Sequence, residues 1–155
     1  ASIKNSLLQH IRKAHYYALM INTTPDQAHR EQMSRVVRYI NIDFEKKTVR
    51  VQESFLGFFQ ISQKDTASLV KVILNELDND GLALTDSKSQ CYDNAVIMAG
   101  NINGVQHRVK ELNSQVLFVN CDNHSLNLVG LNAAKSDIAV ISFFNVIDSF
   151  FAFFF

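Results

Sequence analysis

The stretch YYALMINTTPDQAHREQMSRVVRYINIDFEKKTVRVQESFLGFFQI, Tyr16–Ile61, decides the fold. Its first run, Tyr16–Ile21, is short and apolar and ends at Asn22-Thr23-Thr24-Pro25-Asp26. Pro25 and Asp26 are turn residues, so the run reads as a strand passing into a loop. Met33–Ile42 is rich in β-branched and aromatic residues and reads as a second strand. Asp43–Lys47 is a polar turn. Thr48–Ile61 alternates, and Val49, Val51, Phe55, Phe59 and Ile61 fall on one parity. Three strands joined by short loops predict an antiparallel meander.

Working outward, Ile3, Leu7, Leu8, Ile11 and Ala14 recur at helical spacing before the meander. After it, Asp65-Thr66-Ala67-Ser68 opens a helix whose inner face carries Leu69, Val70, Ile73, Leu74 and Leu77, and Gly81 closes it. Gln90–Asp93 suits a brief strand. Gly104–Leu112 is helical, with Val105, Val109 and Leu112 in register. Val116–Val119 is a buried strand, and the chain reads as helix from His124 to its end. Strands four and five each follow a helix, as parallel strands require. The order predicts an α/β fold with a ribonuclease H-like mixed sheet. Three antiparallel strands come first, then two reached by helical crossovers, flanked by an N-terminal helix and a long apolar C-terminal helix. No repeat or linker divides residues 1–155, which read as one domain.

Composition sets limits. The 155 residues suffice for a real core, with 47% apolar and 19% charged residues. Fifteen basic and fifteen acidic residues cancel, so no whole-domain attraction to DNA phosphates is expected. Arg30, Arg35 and Arg38, and Lys46, Lys47 and Arg50, alternate with acids and read as solvated faces. Cys91 and Cys121 make no disulfide framework. With no signal peptide read at the N-terminus, a nuclear or cytoplasmic location is expected rather than a secreted one. Ile138–Phe155 is nearly all apolar and ends FFAFFF, but Asp148 sits in its middle. A charge there would be costly in lipid, so a core helix is expected rather than a membrane span, with Phe150–Phe155 a sticky surface for self-association.

Three motifs follow in order: Tyr92-Asp93-Asn94, then GNINGVQHR (Gly100–Arg108), then VNCDNHSLNLV (Val119–Val129). Upstream stand Thr24-Pro25-Asp26 and Glu31-Gln32-Met33-Ser34. Together they resemble hAT-family transposases, in particular the transposase-derived domain of zinc-finger MYM-type protein 1-like sequences. The likeness runs along essentially the whole chain. It implies a ribonuclease H-like fold and an ancestry in metal-dependent DNA cutting, with Mg2+ or Mn2+ held by acidic residues in active relatives and DNA as the ancestral partner.

The resemblance also places the site. The family's first catalytic aspartate falls on Asn22, its second on Asp93, and its CxxH step on Cys121 and His124. The third acid, a glutamate, lies in relatives beyond an inserted helical domain, so the chain resembles a partial domain. Divalent ions that clamp a scissile phosphate need hard, anionic oxygens. Asn22 offers a neutral carbonyl instead. Asp93 is the one metal-ligand candidate left, and it reads as vestigial. Asp26 is a poor substitute for the missing acid, four residues on and past a proline. Cys121 and His124 could share a metal, but a structural zinc usually needs four ligands, and packing for Cys121 with hydrogen bonding for His124 is the plainer reading. The expectation is a degenerate domain that is not an enzyme and needs no cofactor. A DNA- or protein-binding module, or part of a nuclease completed by other sequence, are the alternatives.

Overall fold

The chain starts with helix α1 (Ile3–Ala14) and then lays down strands β1 (Tyr17–Pro25), β2 (Glu31–Asp43) and β3 (Thr48–Gln60). Helix α2 (Thr66–Asn79) and a short 3-10 turn (Leu84–Asp86) lead to β4 (Ser87–Tyr92). Helices α3 (Val96–Ala99) and α4 (Val105–Leu112) precede β5 (Leu117–Asn120), and α5 (Asp122–Ala134) and α6 (Ile138–Phe154) follow. This computed structural model describes residues 3–25 and 31–154. Asp26, read as a poor substitute for the missing acid, and the solvated face at Arg30 lie outside the described residues.

The strands form one sheet in the order β3-β2-β1-β4-β5. β1, β2 and β3 pair antiparallel, whereas β4 runs parallel to β1 and β5 parallel to β4. The expected α/β mixed sheet is therefore present. One face carries the core. Leu8 and Ile11 of α1, and Leu69, Ile73 and Leu77 of α2, are buried with Leu19, Met33, Val37, Val105 and Val109. Asp65 caps α2, its side chain accepting the Ser68 N–H at 3.0 Å, as the sequence pattern predicts.

The single parity expected through Thr48–Ile61 does not hold. Val49, Val51 and Phe55 are exposed, while Ser54 and Leu56 are buried. The register of β2 against β3 shifts between Arg35 and Val36, where Gly57 takes φ +124°. A bulge adds one residue and turns the following side chains over. Phe59 and Ile61 thereby pack against the core although they share odd numbers with exposed Val51.

Arg35 also departs from expectation, because it is not on a solvated face. It is 2% exposed on the inner face of β2. Its guanidinium pairs with the buried Asp80 carboxylate and reaches Glu76 at 3.4 Å, and Lys4 binds Asp80 at 2.8 Å. Arg12 donates to the Asp80 carbonyl at 2.5 Å. Cations thus gather where α2 ends, the pole of a helix that favours them.

Contacts cluster into two compact units, residues 1–120 and 121–155. The second is not one helix. Ser136 accompanies the end of α5, its hydroxyl donating to the Ala133 carbonyl, and Asp137 caps the start of α6 by accepting the N–H of Ala139 at 2.8 Å. A serine followed by an aspartate before an apolar run is a helix-start signal, which the apolar composition obscured. Among the described residues no single helix is long and apolar enough to cross a membrane. α5 and α6 pass that test only as a pair bent by 110°.

Candidate functional site

β1 and β4 are neighbouring parallel strands whose last recorded partners are Met20 and Cys91. Two residues further along each chain stand Asn22 and Asp93. Adjacent strands lie about 4.8 Å apart, so the two expected site residues come to the same end of the sheet. Their surroundings differ. Asn22 is exposed and sits opposite Ser34 of β2, whose hydroxyl donates to the Asn22 backbone carbonyl at 3.3 Å. It shares its face of β1 with Ala18 and Met20, while Leu19 and Ile21 point to the core. Asp93 follows β4 directly and is half-buried. Its Oδ1 accepts the Ala95 N–H at 3.0 Å, so the carboxylate closes a turn into α3.

The end of β4 is held firmly. Tyr92 is fully buried against Phe118, with ring centroids 6.0 Å apart. Burial pushes its hydroxyl far above the usual tyrosine range, so it stays protonated. Gln90, also fully buried, donates to the Gln106 carbonyl at 2.9 Å. Gln106 in turn donates to Ala99 and Asn101 at 3.1 and 2.7 Å. The Gly100–Gly104 turn is tied to β4 through these amides. It is also close-packed: a Cβ on Gly104 would lie 2.4 Å from the Gly100 nitrogen. The motif GNING therefore serves as a tight connection, as its sequence suggests.

Beside Asp93 opens a cavity of about 260 Å³. Thr23, Glu31, Lys64 and Asp93 supply its polar wall, and Met33, Leu69 and Met98 line it with apolar surface. Asn22 is not among its lining residues. Lys64 places its ammonium 2.8 Å from the Glu31 carboxylate. Sequence reasoning gave neither Glu31 nor Lys64 a place at this site. The signal for Glu31 was its position at the start of β2, where it pairs with Pro25 near the tip of β1. Lys64 stands in the segment after β3, and no motif marks it.

Cys121 and His124 lie in the second unit. Cys121 precedes α5 and its carbonyl accepts the Ser125 N–H at 3.1 Å, while His124 stands in the first turn of that helix. Both are half-buried, and neither cysteine is in a disulfide. Among the described residues, no three His, Cys, Asp or Glu side chains converge as a metal centre would require.

A mixed five-stranded sheet with this strand order, β4 lying parallel to β1, is that of an RNase-like domain. Residues 1–104 match the ZMYM1/FAM200, RNase-like domain family, and the chain belongs to that family. It is thus a ZMYM-like, transposase-derived domain. The match includes β1 to β4, with both strand tips, and ends at Gly104, before α4.

Proposed function

We propose that this domain is a degenerate hAT-type transposase core that performs no phosphodiester chemistry and persists as a binding scaffold. The observation that carries this reading is what stands two residues past the last β1–β4 pairing: Asn22, inside β1, and Asp93, just after β4. Two-metal cleavage needs several anionic oxygens converging on the ions. Here Asn22 of β1 offers a neutral carboxamide, and Asp93 after β4 a carboxylate already accepting a backbone N–H. The next carboxylate in the cavity, Glu31, is neutralised by Lys64. An ammonium within the same wall repels a divalent cation. The residues present do not fit a Mg2+ or Mn2+ pair.

The test combines Mn2+ titration calorimetry with cleavage of supercoiled DNA in Mg2+ or Mn2+. The expected result is no metal binding at the tips and no cleavage. Asn22→Asp alone should restore neither, because position 22 does not line the cavity that holds Asp93 and Glu31. Cleavage by the unmodified chain, lost in Asp93→Ala, would overturn the reading in favour of a metal-dependent nuclease.

A further inference from the structure

β3 stands at one end of the strand order and pairs with β2 along one side only; among the described residues no strand covers its other side. From Thr48 to Phe55 its register against β2 is unbroken, and the bulge comes only after Phe55. The run contains no proline. Eight regular residues thus present alternate backbone N–H and C=O groups outward, a template for a further strand. The side chains beside this edge are apolar and open to water. Val49 and Val51 are 68% and 70% exposed, and their cross-strand neighbours Ile42 and Ile40 are 41% and 51% exposed. We propose that this edge joins two copies of the chain, β3 against β3 antiparallel, with Val51 on the twofold axis.

Charge and parity select that register. A twofold axis perpendicular to the sheet keeps each face on its own side, so the residue on the axis meets its own copy. Arg50 or Glu53 on the axis would set like charges opposite each other, which is destabilising. Val51 on the axis sets Arg50 against Gln52 and Val49 against Glu53 of the second copy. Glu53 is already neutralised by Arg38 at 2.5 Å. The outer face then carries a continuous row, Ile40, Val51, and the same two residues of the second copy. Such β-branched neighbours are the pairs that stabilise sheets. Fifteen positive and fifteen negative residues leave no net charge to hold two copies apart. The interface stands whether or not the strand tips bind metal.

Light scattering of the full chain over a wide concentration series should show a monomer–dimer equilibrium. Val51→Lys places two ammonium groups on the axis at an exposed position, and should give monomers with an unchanged circular dichroism spectrum. Val51→Cys should form a covalent dimer under mild oxidation, beyond any formed by the parent chain. Phe151→Ser, in the apolar α6, should leave the dimer intact. A chain monomeric throughout would overturn the proposal. So would a dimer indifferent to Val51→Lys and refractory to Val51→Cys crosslinking, or one that only Phe151→Ser dissolves.

Discussion

Residues 3–120 and residues 121–154 are both rich in regular structure, yet only the first has an interior. In the first unit, buried side chains from α1, α2 and α4 meet one face of a five-stranded sheet. In the second, none of the described residues of α5 and α6 is buried, although Ile138–Phe154 is almost wholly apolar. Composition alone would rank them the other way. A core needs apolar side chains on two surfaces that face each other. The alternation in β1 and β2 and the helical spacing in α2 provide that. A helix apolar on every side is one that belongs in an interior. In α6, Phe143, Phe150, Phe151 and Phe153 are each more than half exposed.

The contrast can be tested most severely at the buried ion pair. Asp80→Ala strands the Arg35 guanidinium, whose Nε and Nη1 already lack partners among the described residues. Removing one partner of a buried pair costs about 3–5 kcal/mol, which chemical denaturation would read directly. A loss below about 1 kcal/mol would mean that Glu76 and solvent take over the charge. Next comes Leu77→Ala in α2, a residue 1% exposed, expected to cost about 2–5 kcal/mol. Both losses should appear in one cooperative transition of the first unit.

The first two strands were legible because an apolar run and a β-branched, aromatic run precede the polar turn at Asp43–Lys47, although β1 continues through Thr23 and Thr24 to Pro25 where a loop was expected. The helix Thr66–Asn79 was legible because its cap, apolar stripe and terminal glycine agree. Arg35 was not, since nothing local shows that Asp80, 45 residues away, waits for it. Nor was the bulge, because a lone glycine between Leu56 and Phe58 does not announce a change of parity. At the site, sequence reading placed Asp93 at the end of β4, but it stopped the first strand at Asn22, whereas β1 runs three residues further to Pro25. The Lys64–Glu31 contact escaped because it joins residues 33 apart that share no motif.

The bulge supplies a smaller test. Gly57→Ala puts a side chain at φ +124°, a region that side-chain-bearing residues rarely adopt. Nothing lies within 4 Å of the added Cβ, so any loss is backbone strain, about 1–3 kcal/mol. An unchanged melting temperature would show that β3 can shed its bulge. A still smaller effect belongs to Asp65. The Ser68 side chain and N–H hold its carboxyl below the usual aspartate range. A depressed folded value stabilises above the unfolded value and is lost as pH falls through the folded one. Asp65→Ala should therefore lower stability slightly at neutral pH, and the difference from the parent should fade in acid. A difference that grew in acid would contradict the cap.

The smallest expected effect bears most directly on the comparison. Phe151 is 61% exposed, so Phe151→Ser removes little buried surface, and stability of the first unit should move by no more than about 0.5 kcal/mol. Solubility should rise, because an exposed apolar patch is a site of association. Denaturation followed by the near-ultraviolet signal of Tyr17 and Tyr92, both buried in the first unit, isolates the relevant transition. A shift of that transition comparable to the Leu77→Ala loss would show that α6 contributes to the core stability of residues 3–120, and the distinction between a unit with an interior and one without would fail.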